Sequence, residues 1–153
     1  MIEMVVVLLL MGIIAATVLG RSIATSDIDL NSETDKIRNH LRFAQAEAMK
    51  RSNTVWGIKS DGTEYWLFRG TNPNLPANEV RLPGAVYSGA SNRVNEADIG
   101  VTLSDFTVFF DRIGKPYSAY TSETTNTPLA SQLPISVSGR PMITITPETG
   151  LIR

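Results

Sequence analysis

The sequence contains no cysteine and a single histidine, His40. Without cysteine the chain forms no disulfide and offers no thiolate ligand, and structural zinc sites take several Cys or His ligands. We therefore predict no metal site in this protein. The lack of cysteine says nothing about the compartment, because a secreted domain with an adequate core needs no disulfide.

Catalytic motifs are also missing. The sequence has no G-x-S-x-G nucleophile elbow, no P-loop and no Cys/His pair. Its many Ser and Asp residues have no recognisable histidine partner and are typical of turns. We therefore predict that the protein is not an enzyme and uses no cofactor. A monotopic membrane enzyme is the alternative that the sequence supports least.

Neither sign of charge is in excess, since 14 basic and 15 acidic residues leave a net charge of −1. Nothing in the overall composition demands nucleic acid or an acidic substrate as a partner. The charges are unevenly placed along the chain, because residues 4–19 contain none of them. This split between an apolar start and a mixed remainder is the most informative feature of the composition.

The apolar run at residues 4–19 has three possible interpretations. A signal peptide would have a positive n-region and a small-residue cleavage site, and neither is present. A buried core helix would be apolar along one stripe, whereas this run is apolar on every face. A membrane-spanning helix needs about 17–25 apolar residues. We favour a membrane helix that begins upstream of Met1 and carries Glu3 at its front edge.

The hydrophobic period predicts three segments. Residues 1–22 form a transmembrane or filament-core helix, 23–52 form the amphipathic half of the same helix, and 53–153 form a β-rich globular domain. The apolar stripe of the second segment consists of Ile23, Leu30, Ile37, Leu41, Ala44 and Ala48.

Period-two apolar patterns predict several strands after residue 53, and Asp61-Gly62 is a strong hairpin signal between the first two. Residues 121–132 are rich in Ser, Thr and Asn, which indicates an exposed loop. The predicted strands are residues 55–59, 64–69, 79–82, 100–103, 106–110, 134–138 and 142–146.

Four stretches resemble one known family. Met1-Ile2-Glu3-Met4-Val5-Val6-Val7 resembles the signature of type IV pilins and type II secretion pseudopilins, entered two residues after the usual mature N-terminus. Residues 41–52 are similar to the R-x-A-Q-x-E-A segment of the GspH/FimT group, a loose set of minor pilins and pseudopilins that includes MSHA minor pilins. Residues 110–116 and 143–152 resemble that group's F-x-x-x-G-x-P turn and I-x-I-x-P-x-T-G ending.

The resemblance implies a pilin-like α+β fold, in which a long N-terminal helix with a membrane-spanning first half packs on a C-terminal antiparallel β domain. It implies a structural subunit, a minor pilin or pseudopilin that joins or initiates a type IV pilus or a type II secretion pseudopilus. The implied partners are other pilin or pseudopilin subunits, the inner membrane, and the prepilin peptidase that cleaves the precursor. The implied location is a bacterial inner membrane with the β domain in the periplasm, or an assembled filament.

Glu3 is the assembly residue that the resemblance implies, because this glutamate in pilins meets the N-terminal amine of a neighbouring subunit. A charge within a membrane helix costs about 2.5–3.5 kcal/mol, so such a residue is a functional candidate by default. The alternative is that Glu3 lies at the level of the lipid headgroups and only reaches into water.

DNA uptake is the alternative function, since FimT-like pilins are associated with it through basic residues of the C-terminal domain. The candidates in this sequence are Arg112, Lys115, Arg140 and Arg153. They form no run, and the tail lacks the group's G-R-x-R motif, so we do not expect nucleic acid to be the main partner. The sequence does not separate secretion, pilus and competence systems.

Overall fold

The computed structural model describes residues 2–51, 53–87 and 89–153, with side chains described in all of these except 16–28. The chain divides into two compact units, Met1–Ser32 and Glu33–Arg153. The described residues form one α-helix, α1 (Ile2–Lys50), two short 3-10 helices (Pro76–Asn78 and Ala97–Ile99) and nine strands. The strands are β1 (Trp56–Ser60), β2 (Glu64–Arg69), β3 (Glu79–Val80), β4 (Val94–Asn95), β5 (Phe106–Phe110), β6 (Pro116–Tyr120), β7 (Asn126–Pro128), β8 (Leu133–Val137) and β9 (Arg140–Ile145).

The predicted fold class requires a correction at its N-terminal half. The side chains of α1 are described in two separate stretches, 2–15 and 29–50. In the part of the chain that the structure describes, no helix combines the length and the apolar character needed to cross a membrane. The predicted membrane-spanning first half and the predicted inner-membrane location are therefore contradicted.

The predicted antiparallel β domain is confirmed. Seven strands form a sheet in the order β3-β2-β1-β5-β6-β7, with β4 also paired to β2, and β8 and β9 form a second sheet. The central strand β1 pairs antiparallel with both β2 and β5. The Asp61-Gly62 turn joins β1 to β2, and the Asp61 carboxylate accepts hydrogen bonds from the backbone N–H groups of Thr63 and Glu64.

The strand predictions succeed where apolar runs are long. The predicted bounds 64–69 and 106–110 match β2 and β5. The prediction at 100–103 is wrong, because only Leu103 forms a β-bridge there, to Val137. The short strand β4 and the strand β6 were not predicted, and β7 lies inside the predicted loop 121–132.

The last turns of α1 belong to the unit Glu33–Arg153 and pack against its sheets. The predicted stripe is confirmed at Ile37, Leu41, Ala44 and Ala48, which are at most 1% exposed. The small alanine side chains let the helix backbone approach the sheet closely. Leu30 lies in the other unit and is half-buried, and the side chain of Ile23 lies outside the described residues.

Candidate functional site

The described side chains of residues 2–15 form an apolar surface that surrounds the helix. Every one of these residues is exposed, and Glu3 is the only charged residue among them. Ile2 is 81% exposed and Leu8 is 69% exposed. Apolar patches of this extent mark surfaces that contact another protein or a lipid phase. We call residues 2–15 the apolar helix segment.

Glu3 lies in the first turn of α1. A carboxylate at a helix N-terminus interacts favourably with the helix dipole, typically by about 0.3–1 kcal/mol. This local role needs no partner, so the position of Glu3 alone does not make it an assembly residue. Its place at the front of the apolar helix segment is what distinguishes it from the other exposed carboxylates of the chain.

Two of the predicted basic residues lie in the turn between β5 and β6. Arg112 is within 4.0 Å of Glu123, in an ion pair whose side chains are both largely exposed. The Lys115 ammonium is 2.7 Å from the carboxylate of Glu148. These acidic partners offset the positive charge that a phosphate backbone would require.

The other two basic residues lie elsewhere on the second sheet. Arg140 begins β9, and Glu148 with its partner Lys115 lies beyond the opposite end of that strand. A six-residue strand spans about 17 Å, so Arg140 and Lys115 do not share one patch. Arg153 exchanges two backbone hydrogen bonds with Thr144. The structure thus does not bring the four predicted DNA contacts together.

Three of the stretches that carry the family resemblance meet at Gln45. Its side-chain Nε2 donates to the carbonyl oxygens of Gly114 and Gly150, each at 3.0 Å. Gly114 belongs to the turn between β5 and β6, and Gly150 to the turn after β9. We call Gln45, Gly114 and Gly150 the glycine junction.

The neighbouring turn of the helix reinforces this attachment. Arg42 Nη2 donates to the carbonyl oxygen of Ile152 at 3.1 Å, and Arg38 Nη2 donates to that of Met142 at 3.2 Å. Each of these bonds satisfies a backbone carbonyl at or beside β9. The glycine junction and the two arginines therefore attach residues 38–45 of α1 both to the turn between β5 and β6 and to the region of β9.

Comparisons with known proteins found no match, whether to models of protein families, to curated proteins or to solved structures.

His40 of α1 and Glu96, which follows β4, are buried polar side chains. His40 hydrogen-bonds to the Tyr65 hydroxyl at 3.1 Å and to the Pro83 carbonyl oxygen at 3.2 Å, and burial lowers its pKa. Glu96 accepts hydrogen bonds from the Ser60 hydroxyl and from the backbone N–H of Leu103, and burial raises its pKa. Their partners belong to the fold, which indicates structural roles.

No metal cluster of three or more His, Asp or Glu residues exists within the described ranges. Sequence reasoning did, however, miss a polar groove at one end of the larger sheet, which Tyr117 and Tyr120 of β6 both line. In a regular strand two residues three positions apart point to opposite faces. Both rings nevertheless line the groove, and the pairing of β6 with β7 shifts register between Tyr117 and Ala119, which interrupts the regular alternation. No alternation in the sequence signals such a bulge.

Proposed function

We propose that this chain is a structural subunit of a filament, a minor pilin or pseudopilin that joins or initiates a type IV pilus or a type II secretion pseudopilus. The resemblance at four stretches of the sequence suggests the family. The exposed apolar helix segment is the main observation that supports the proposal, because burial of its side chains against other subunits would be favourable.

The size of the apolar helix segment sets the energy available for assembly. Eleven of its side chains are large, apolar and exposed, from Ile2 at 81% to Val6 at 52%. Burying a Val, Leu, Ile or Met side chain stabilises by about 1.5–3 kcal/mol. Because these side chains are already partly covered in the helix, burial of the whole segment is worth on the order of 10–20 kcal/mol, against an association cost of roughly 4–15 kcal/mol. Helix-to-helix packing of this segment therefore favours assembly.

Gly12 supports close packing of the segment against a neighbouring helix. A methyl group added at Gly12 would meet no atom within 4 Å in the free chain, so the glycine is not required by local packing. Small residues on apolar helices let the backbones of two helices approach closely.

Glu3 supplies the selectivity of the proposed assembly. Buried among apolar helices, an unpaired carboxylate is strongly unfavourable, so its neighbour must offer a positive group. In pilins that group is the N-terminal amine of the next subunit, and we propose the same partner for Glu3. Only the register that pairs these two charges would avoid the penalty.

The test is incorporation of a tagged chain into filaments of the bacterium that encodes it. Filaments are sheared from the cells, pelleted and probed for wild type, Glu3→Leu and Asp98→Leu. Asp98 is an exposed carboxylate of the β domain and is the matched control. We expect wild type and Asp98→Leu in the pellet and Glu3→Leu outside it.

Two results would count against the proposal in different ways. Absence of the wild-type chain from every filament fraction would contradict the structural role itself. Equal incorporation of wild type and Glu3→Leu would contradict the charge pairing and leave apolar packing as the basis of assembly.

A further inference from the structure

A groove of about 460 Å³ opens at one end of the larger sheet. Because β1 runs antiparallel to β2 and β5, the start of β1 and the ends of the other two strands meet there. Residues 53–55, 70–71 and 111–113 line it from these strand ends, and β6 with the loop before β7 closes the other side. The volume lies within the about 300–1,000 Å³ range of small-molecule sites.

The floor of the groove is aromatic and is held by the core. Val55 and Tyr117 line the groove and belong to a buried cluster with Trp66, Phe68 and Phe109. Tyr120 packs against this cluster, with its ring centroid 5.2 Å from that of Tyr117 in an edge-on arrangement. Core packing therefore fixes both tyrosine rings before any ligand arrives.

Hydrogen bonds fix the orientation of the polar side chains in the floor, Tyr117 and Asp111. The Tyr117 hydroxyl donates to Asp111 Oδ2 at 2.9 Å, and burial together with this bond raises the pKa of Tyr117 to about 12. Asp111 Oδ1 accepts the backbone N–H groups of Ile113 and Lys115, both at 2.9 Å. Asp111 is thus fully used in shaping the turn and in orienting Tyr117.

The lining of the groove also offers hydrogen-bonding groups that make no hydrogen bond within the fold. Within the described part of the chain, the side chains of Asn53 and Thr71 and the hydroxyl of Tyr120 form no hydrogen bond, although all three residues line the groove. A carboxamide and two hydroxyls can each donate and accept. Asn53 and Thr71 lie at two different strand ends, beside the aromatic floor to which Tyr120 belongs.

The charges in the groove disfavour anionic ligands. Its charged lining residues are Asp111, Arg112 and Glu123, which sum to −1. Arg112 lies 4.0 Å from Glu123, which offsets its positive charge. A phosphate or a polyanion would meet more negative than positive charge, so the groove suits a neutral ligand with many hydroxyl groups.

We propose that this groove binds a short neutral saccharide, with a sugar ring against Tyr120 and its hydroxyls bonded to Asn53 and Thr71. The polarised C–H groups on one face of a sugar ring complement the negative face of an aromatic ring. The equatorial hydroxyls match side chains that both donate and accept. The groove lies wholly within Glu33–Arg153, so saccharide binding and filament assembly can fail independently.

The test is an amide-resolved NMR titration of the full chain in a zwitterionic detergent that contains no sugar. The probes are maltotriose, cellotriose and triacetylchitotriose, each raised to about 10 mM, which is sufficient to detect a millimolar site. We expect at least one of them to shift the amide signals of Asn53, Thr71 and Tyr120. An anionic heparin tetrasaccharide is the comparison ligand.

Variants locate the site. Tyr120→Ala should weaken binding by roughly tenfold and Tyr120→Phe by about threefold, since the second change keeps the ring and removes only the hydroxyl. Asn53→Ala should also weaken binding by about threefold. Tyr87→Ala and Asn39→Ala, which lie outside the groove lining, are the matched controls and should bind as wild type does.

Three results would overturn the proposal. The first is the absence of any shift at the groove with all three neutral probes. The second is a response to the anionic tetrasaccharide alone, which would indicate an anion site. The third is unchanged affinity in Tyr120→Ala, which would place saccharide binding elsewhere on the chain.

Discussion

Gly150 lies so close to Gly114 that a methyl group added to its Cα would be 2.3 Å from the carbonyl oxygen of Gly114. Gly150 also has a φ of 61°, in the left-handed region that favours glycine. Gln45 donates to the carbonyl oxygens of both glycines. The glycine junction thus requires glycine at position 150 for two separate reasons, which are backbone conformation and space.

Gly150→Ala should therefore lower the free energy of unfolding more than the same change at a glycine that is required only by its backbone conformation. Gly139 has a φ of 76° and open space around its Cα, so Gly139→Ala should cost about 1–2 kcal/mol of unfolding free energy. Gly150→Ala should cost a further 1–3 kcal/mol, approximately, because the methyl group displaces backbone. Urea unfolding followed by tryptophan fluorescence measures both. Equal losses would contradict the close approach at the junction.

The helix stripe gives a second prediction. Leu41 is fully buried between α1 and the sheets, so Leu41→Ala should lower the unfolding free energy by about 2–5 kcal/mol. Asn39 is exposed on the same helix, and Asn39→Ala should change the unfolding free energy by less than about 0.5 kcal/mol. The same urea titration compares them. A small loss for Leu41→Ala would show that the packed face of the helix is assigned incorrectly.

These contacts show where sequence reasoning succeeds. The burial of Ile37, Leu41, Ala44 and Ala48 follows from spacing alone, because a helix repeats every 3.6 residues. The strands β2 and β5 are predictable because they are continuous apolar runs, and the Asp61-Gly62 turn marks the end of the first hairpin strand.

Other features depend on contacts that leave no local pattern. Gln45 is 69 residues from Gly114 and 105 residues from Gly150, so no periodicity could pair them. The groove is lined by Tyr117 and Tyr120, on a strand whose register shifts between Tyr117 and Ala119. The membrane prediction rested on the apolar composition of residues 4–19, whereas no helix in the described part of the chain is long and apolar enough to cross a membrane.

Acid should destabilise the fold through His40. Burial lowers the pKa of His40, and the nearby charge of Lys36 lowers it as well, while the bond to Pro83 and the charge of Glu33 oppose these effects. The unfolded chain then binds a proton more readily than the folded chain. The contribution of neutral His40 to the free energy of unfolding is complete above about pH 6.5, which is the usual pKa of histidine. It is lost as the pH falls through the lowered pKa of His40 in the folded state.

His40→Gln, which retains hydrogen-bonding groups but does not titrate, isolates this effect. The stability advantage of wild type over His40→Gln should shrink as the pH is lowered from about 8 to about 5. Unfolding free energies at several pH values measure the difference, and Asn39→Ala is the non-titrating control. A constant difference between wild type and His40→Gln across this range would show that His40 does not control the acid response.

Binding to DNA should be weak. Arg112 and Lys115 have acidic neighbours, and Arg140 lies apart from them, so few phosphates can be neutralised at once. Each neutralised phosphate of a single strand contributes a salt slope of about 0.7, and we expect a shallow slope and loss of binding near 150 mM salt. Fluorescence anisotropy with labelled oligothymidine measures this. Micromolar binding at that salt concentration, abolished in the double variant Arg140→Ala with Arg153→Ala, would favour DNA uptake.

We propose that other subunits cover the apolar helix segment, and the absence of cysteine from the sequence permits a direct measurement of that contact. A single cysteine at Leu9, which is 62% exposed, can carry a benzophenone photo-crosslinker, and Ser131, exposed in a loop of the β domain, is the control position. Labelled Leu9→Cys chains in sheared filaments should give protein adducts with other subunits on irradiation, and labelled Ser131→Cys chains should give few. Absence of any protein adduct from Leu9→Cys in those filaments would contradict assembly through this helix.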